Sequence, residues 1–238
     1  MLSRLNPHFI FPTPSIFGNH AVGRVVPTSP DSVTPRKGHL VFVNSCIEAS
    51  DDPEVAILLG LMDGGSEKSK KVVNDAWRNG TRTTHALVPL ENATPLDEDA
   101  LLGKLGYDVT ELAYLPRLGV AYGGMSTINV KAGGTVIVGP ATGLVVLSSD
   151  INKDPNAIQA FGPADASVDF SPTVAKNVTH ISSAIRALRR RERVAFMGGT
   201  SADAPIPYSL VTLNSIEIKG RWMYSRKGLR GLITMVEN

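Results

Sequence analysis

An α/β fold with two unlike halves is predicted for this chain. Up to about residue 129, short β-rich runs alternate with Gly, Pro and Asp punctuation, the pattern of a small antiparallel barrel. From Lys131 onward, strand-like and helix-like runs alternate, as they do in a sheet with helical crossovers. The 238 residues, 42% of them hydrophobic, can bury a sizeable core and hold one large or two small domains.

In chain order, residues 21–27 (AVGRVVP), 40–43 (LVFV) and 85–89 (HALVP) read as strands. Residues 51–65 (DDPEVAILLGLMDGG) and 66–77 (SEKSKKVVNDAW) form an insert, with a short helix expected over 53–61. Residues 101–115 (LLGKLGYDVTELAYL) read as helical and lead to a domain junction. Residues 135–138 read as an apolar strand, and 144–150 (LVVLSSD), rich in β-branched residues, as a second one. The clearest helix is expected over 171–190. Ser171 suits an N-cap and Pro172 the first helical position, while Val174, Val178, Ile181, Ile185 and Leu188 recur on one buried face. Arg189, Arg190 and Arg191 then fall at a helix C-terminus, where cations complement the dipole.

Composition excludes several classes of partner. With 24 basic against 22 acidic residues the net charge is +2, which supplies no general field for nucleic acid or an anionic membrane. The run RRRER is explained by a charged helix end without a nucleic-acid partner. No apolar run approaches the length of a membrane span. The lone Cys46 rules out an internal disulfide framework and suits a reducing compartment. No acidic residue precedes Asp31, as in a mitochondrial transit peptide, but Pro7, Pro12 and Pro14 would break a targeting helix. A cytoplasmic protein is expected.

Chemistry enters at residues 131–143, KAGGTVIVGPATG: a turn, an apolar strand and the opening of a dinucleotide-binding loop. In such a unit the strand delivers the chain to glycines whose missing side chains admit the pyrophosphate to backbone N–H groups and to the N-terminus of the next helix. Gly139 and Gly143 suit that turn. The helix that should follow is absent, because 144–150 reads as a strand, and the five residues 139–143 cannot join two adjacent parallel strands. Either the loop does not serve a phosphate or part of the unit is gone.

Seven blocks, in order, carry a family resemblance: residues 18–26 (GNHAVGRVV), 38–44 (GHLVFVN), 77–92 (WRNGTRTTHALVPLEN), 121–143 (AYGGMSTINVKAGGTVIVGPATG), 161–172 (FGPADASVDFSP), 193–199 (RVAFMGG) and 216–237 (IEIKGRWMYSRKGLRGLITMVE). Together they resemble the medium-chain dehydrogenase/reductase superfamily of zinc-type alcohol dehydrogenases, and within it the fungal zinc-independent alcohol dehydrogenase-like members. The resemblance implies a GroES-like β-barrel remnant over residues 1–130. Residues 131–238 then form an incomplete Rossmann-type NAD(P)-binding domain with a deletion after Gly143.

Zinc divides the superfamily. A catalytic zinc needs about three Cys, His or carboxylate ligands and an open position. Here the motif position after Gly18 holds Asn19, followed by His20, and the stretch Leu115, Pro116, Arg117 stands where a ligating cysteine is expected. A structural site has no cluster of four cysteines to use. His20 reads as a hydrogen-bonded structural residue, and His8, His39, His85 and His180 show no ligand spacing. No metal is therefore expected.

Without metal, such enzymes orient a nicotinamide cofactor, NADP or NAD, against a small-molecule substrate. By resemblance, Gly139, Pro140, Ala141, Thr142 and Gly143 form the pyrophosphate loop, and Ser171 and Pro172 pass the adenosine side. Met197, Gly198 and Gly199 reach the nicotinamide ribose, and Arg221, Trp222 and Met223 meet the carboxamide. The plain alternative for each is strand-end packing, with Trp222 and Met223 in the core. The resemblance also implies losses: the start of the barrel, the first Rossmann helix with the next strand and helix, and the closing strand and helix. Uncovered apolar faces would favour a homodimer. Two functions follow: a zinc-independent oxidoreductase reducing a carbonyl or an activated double bond, or an inactive truncated paralogue that acts, if at all, as an interaction partner.

Overall fold

The structure, a computed structural model, describes residues 13–140, 150–201 and 203–238. The chain divides into two compact units, Met1–Leu118 with Leu229–Asn238, and Gly119–Gly228. The first carries antiparallel strands and the second a four-stranded parallel sheet, the mixed α/β class that the sequence predicts.

In the first unit, β1 (Ala21–Arg24), β2 (Leu40–Val43) and β5 (Ala93–Pro95) form an antiparallel sheet in the order β1-β2-β5. Val43 lies opposite Ala21 on one side and Ala93 on the other. As the middle strand, β2 is buried at all four positions, which is why LVFV shows no polar alternation. A second antiparallel pair joins β3 (Cys46–Glu48) to β4 (Ala56–Leu58). Helix α1 (Glu67–Asp75) opens on a capping box in which the Ser66 hydroxyl accepts from the Ser69 N–H at 3.1 Å and the Ser69 hydroxyl accepts from the Ser66 N–H at 2.9 Å. Its Val73 packs with Val41, Val43, Ile47, Ile57, Leu59 and Ala93 in the core of this unit.

Three expectations fail in this unit. Residues 53–61 are not helical: Val55, Ile57, Leu58 and Leu59 are buried around β4, and Gly60 turns the chain at φ +57°. Such a short apolar run satisfies either period until a partner strand decides. Residues 85–89 form no strand, and the stretch from Arg82 to Leu87 is exposed; the pairing falls on β5 instead. The helix expected over 101–115 is also broken. A π-helical turn spans Asp99–Lys104, Gly106 turns at φ +72°, a 3₁₀ turn spans Glu111–Tyr114, and α2 occupies Leu115–Thr127.

In the second unit, β6 (Val136–Gly139), β7 (Ala164–Asp169), β8 (Leu188–Phe196) and β9 (Glu217–Gly220) lie side by side in that order, all parallel. The connection from β6 to β7 carries α3 (Asp154–Gln159); the run 144–149 within it lies outside the described residues. Helix α4 (Thr179–Ala187) covers one face through Val178, Ile181 and Ile185, which meet Ala164 and Val194. On the other face Ile128 and Met125 meet Ala166, Val168 and Ala195. Helices α5 (Tyr208–Asn214) and α6 (Arg226–Val236) complete the element order.

The helix expected over 171–190 is a correction. Only Thr179–Ala187 is helical. Residues 171–178 form turns, with the Ala175 N–H donating to the Pro172 carbonyl at 2.9 Å. Val174 is 59% exposed and so falls off the apolar face. Arg189, Arg190 and Arg191 cap no helix; they open β8, where Arg189 pairs with Asp165 at 2.7 Å and Arg190 donates to the Leu213 carbonyl at 3.3 Å. Buried Leu188 already pairs opposite Ala164, so the chain leaves the helix for the sheet before the arginines.

Candidate functional site

The parallel register aligns four strand ends in one row: Gly139 opposite Asp169, Asp169 opposite Phe196, and Phe196 opposite Gly220. All four are carboxyl ends, the edge at which open α/β sheets take ligands. Most of the sequence-predicted cofactor positions sit on this row or just past it. Pro140 follows Gly139, Ser171 and Pro172 follow β7, Met197 to Gly199 follow β8, and Arg221 to Met223 follow β9. Ala141, Thr142 and Gly143 lie outside the described residues.

Backbone bonds lock these segments together. The Met197 N–H donates to the Asp169 carbonyl, the Gly199 N–H to the Ser171 carbonyl, and the Arg221 N–H to the Phe196 carbonyl, each at 2.9 Å. A Cβ at Gly198 would stand 2.6 Å from Asp169 Oδ2 and 2.8 Å from the Ser171 nitrogen, so only glycine fits there. Gly198 itself is exposed. Trp222 is 47% exposed and Met223, half-buried, takes φ +56°, so the alternative that puts both in the core fails for the tryptophan.

Sequence reasoning missed the polar centre of this edge. Asp169 is buried, and its Oδ1 accepts from the Ser171 hydroxyl at 2.7 Å and lies 2.9 Å from His180 Nε2, while its Oδ2 accepts from the Ser171 N–H at 3.2 Å. His180 Nε2 is also 3.0 Å from the Ser171 oxygen. A carboxylate offers only lone pairs, so Nε2 must carry the proton and be shared between the two oxygens. Because the serine proton points to Asp169, the histidine cannot take it, and the trio does not match a nucleophile activated by its base. It is a clamp that joins β7 to α4. No motif signals it, because His180 stands eleven residues after Asp169 with no ligand or catalytic spacing.

Beside the clamp lies a cavity of about 470 Å³ between β6, β7, α3 and α4, lined by Ile137, Phe161, Ile181, Ala184 and Phe196, with His180 and Asp169 among its polar groups. A wider groove of about 1730 Å³ opens on the first unit, lined by residues that include Val22, Val43, Trp77 and His85. Lysines on that groove already pair with acids, Lys68 with Asp52 at 2.7 Å and Lys71 with Asp75 at 2.5 Å.

His20, the residue nearest the family's zinc motif, is half-buried, and Thr81 donates to its carbonyl at 2.7 Å. Burial, and after it the charge of Arg117, pushes its imidazole below the usual histidine range. Among the described residues no three His, Cys, Asp or Glu side chains gather as a metal site would require, and no helix is long and apolar enough to cross a membrane.

With its open parallel sheet and its antiparallel strands, the chain is similar in fold to solved alcohol dehydrogenases. An NAD-dependent alcohol dehydrogenase matches with a TM-score of 0.68 at 17% identity, over 95% of this chain and 73% of its own. The alcohol dehydrogenase TADH from Thermus sp. ATN1 matches with a TM-score of 0.73 at 14% identity, over 99% of this chain and 77% of its own. The alcohol dehydrogenase rspB from E. coli CFT073, whose structure is complexed with cofactor NADH, matches with a TM-score of 0.65 at 14% identity, over 94% of this chain and 72% of its own. These likenesses establish a shared fold. No family model and no curated protein matches the sequence.

Proposed function

We propose that the chain is an NAD(P)-dependent oxidoreductase of the alcohol dehydrogenase or quinone reductase type that works without zinc and reduces a carbonyl or an activated double bond. The observation that carries this reading is the row Gly139, Asp169, Phe196 and Gly220, four adjacent carboxyl ends in register. Residues 1–130 are read as the GroES-like part and 131–238 as the nucleotide-binding part. A bound reduced nicotinamide supplies the hydride.

The residues past β8 and β9 fit the nicotinamide side. Gly198 and Gly199 are exposed, and a Cβ at Gly220 would meet nothing within 4 Å, so backbone there can approach a ligand closely. The Gly198 N–H makes no hydrogen bond among the described residues and is free to donate to a ribose hydroxyl. Arg221 and exposed Trp222 would hold the ring end, and Met223 in its left-handed conformation would aim the chain past it. Zinc independence rests on the donor set, with Asn19 and the Leu115, Pro116, Arg117 stretch in place of ligands.

The adenosine side fits less well. The one carboxylate on the row, Asp169, is buried and already accepts three hydrogen bonds from Ser171 and His180, so it is not presented as a free ribose-reading carboxylate would be. Beyond β6, no further strand extends the sheet among the described residues. This favours, as the second reading, an inactive paralogue acting as an interaction partner. Losing a helix-terminal contact and a ribose-reading side chain, each worth about 1.5–3 kcal/mol, weakens binding by about 3–6 kcal/mol in total. A micromolar site becomes roughly millimolar.

Fluorescence titration with NADH and NADPH decides between the readings. The expected result is a dissociation constant near millimolar, with hydride transfer only at high cofactor. A low-micromolar constant would remove the inactive reading, and no saturable binding of either cofactor would remove the oxidoreductase. We place the protein in the cytoplasm as a homodimer. Exposed apolar side chains such as Tyr208 and Leu213 on α5 support self-association, which sedimentation reads directly.

A further inference from the structure

The groove on the first unit is lined by two stretches of unpaired backbone. β1 ends its sheet, because the order is β1-β2-β5 and no strand pairs with its other side among the described residues. The Val25 N–H donates to the His39 carbonyl at 3.1 Å and the Gly38 N–H to the Val25 carbonyl at 2.8 Å, so positions 21, 23 and 25 direct their backbone groups toward β2. By alternation the N–H and C=O of Val22 and Arg24 turn away from β2, and they bond to no other backbone among the described residues. On the same groove, Thr84 to Val88 make no backbone hydrogen bond among the described residues either. The Thr81 hydroxyl, donating to the His20 carbonyl at 2.7 Å, ties the two stretches together just before β1.

Size and charge define what fits. The groove's volume of about 1730 Å³ exceeds the roughly 300–1,000 Å³ of small-molecule sites. Val72, Trp77 and Val88 line it half-buried against the core, while Val26 and Leu87, which also line it, are 51% and 75% exposed. Five carboxylates line it against three lysine and arginine side chains, and each of those cations is already paired, Lys68 with Asp52, Lys71 with Asp75 and Arg24 with Glu98. The groove is therefore negative although the whole chain carries +2, and it repels anionic ligands.

We propose that this groove binds an extended peptide of alternating apolar and polar residues that carries lysine or arginine, added as a strand to the open edge of β1. An edge strand is a template for such pairing, and the outward N–H and C=O of Val22 and Arg24 supply the backbone contacts. Alternate apolar side chains of the peptide cover Val72, Trp77 and Val88, and its cations meet the surplus carboxylates, Glu48 and Asp51 among them. The site lies within the first unit and stands whether or not the chain binds NAD(P).

The test titrates the full chain, in a Trp222→Phe background, with the end-capped peptide Lys-Val-Thr-Val-Thr-Val-Lys while Trp77 fluorescence is followed. Saturable binding is expected, about 5-fold tighter than that of the peptide with glutamate in place of both lysines. That preference should shrink in about 0.5 M salt, and also when Glu48→Gln is combined with Asp51→Asn. Val22→Pro removes an N–H that the ladder to β2 does not use and should weaken the lysine peptide about 5–10-fold, the yield of one hydrogen bond, whereas Val22→Ala keeps the N–H and should lose less. Because the proline can unfold the unit, two modified peptides read the same contact. N-methylation at the valines blocks one edge of the peptide strand and N-methylation at the threonines the other, and at least one of the two should bind about 5-fold more weakly. The proposal is overturned if the folded chain shows no saturable change with the lysine peptide, or if the glutamate peptide binds as tightly. Unchanged affinity of both N-methylated peptides overturns it too, as does equal binding by folded Val22→Pro and Val22→Ala. Dissociation of a dimer as the peptide binds would give the groove to a second copy, and binding about 10-fold tighter after deletion of residues 1–12 would give it to this chain's own first residues; either result overturns the proposal.

Discussion

The antiparallel unit is held where backbone meets backbone, and the parallel unit where side chains cover a sheet. In the first, Gly18 takes φ +115°, and the Gly80 N–H and Thr81 N–H donate to the Ile16 and Gly18 carbonyls at 2.7 and 2.9 Å. A Cβ at Gly80 would run into the Gly18 carbonyl. Buried Asn92 donates from Nδ2 to the Asn44 and Cys46 carbonyls at 3.0 and 2.6 Å, tying β5 to β3. In the second unit, apolar clusters on both faces of the sheet carry the packing, and α4 alone contributes Ile181 and Ile185. The difference teaches that a unit of strands only three or four residues long depends on a few atoms of exact shape, whereas a covered parallel sheet depends on summed apolar area.

The chain's two tryptophans report the units separately, Trp77 in the first and Trp222 in the second. The largest effect is expected for Gly80→Ala. Backbone would have to move to admit the methyl group, at a cost of about 4 kcal/mol, near the top of the range for single substitutions. Urea unfolding of Gly80→Ala in a Trp222→Phe background should show the Trp77 transition moved to lower denaturant, and an unmoved midpoint would break the comparison from the backbone side.

Next in size is Ile185→Ala. Ile185 is fully buried in the α4 face, so its truncation should cost about 3 kcal/mol through lost burial and a cavity. Here Trp222 in a Trp77→Phe background is the reporter. A loss below about 1 kcal/mol would mean that the covered sheet is less dependent on packing than this comparison holds.

Asn92→Ala should cost about 2 kcal/mol, because two buried carbonyls lose their donor. Thermal denaturation of the first unit reads it, and Asn92→Asp, which keeps the size but removes the donor, should cost at least as much. Equal stability of Asn92→Ala and wild type would show that the β5 to β3 tie is carried elsewhere.

The smallest effect is a pH dependence at His20. Burial and Arg117 lower the folded-state pKa of its imidazole below the ordinary 6.5. The unfolded chain therefore takes up the proton first as pH falls. The contribution of His20 to stability is fully present above about pH 6.5 and is lost as pH falls below it toward the lowered folded value. Melting temperatures measured from pH 5 to 8 should slope less in His20→Gln than in wild type across the acid half of that window. Parallel curves would show that His20 does not titrate in the folding transition.

Much of the second unit was legible in the sequence. Residues 136–139 form the strand expected over 135–138 because their apolar, β-branched run suits a sheet under helices, and Gly139 marks where it ends. The class of fold follows from such local signals, whereas the cofactor positions came from the family resemblance. Several other features were not legible. The run 53–61 carries enough apolar residues for a helix, and only antiparallel pairing with β3 makes it a strand. The run 171–190 carries helical spacing through Val174 and Arg190, and the sheet alone decides that Leu188 pairs opposite Ala164 and ends the helix.

The clamp of Asp169, Ser171 and His180 marks the same boundary. Local sequence determines propensity and apolar period, because both depend on neighbours within a turn or a pleat. Tertiary structure alone decides which buried donor meets which acceptor. That meeting joins β7 to α4 through atoms whose separation along the chain says nothing of their distance in space, and it sets the one tautomer of His180 that the folded protein can hold.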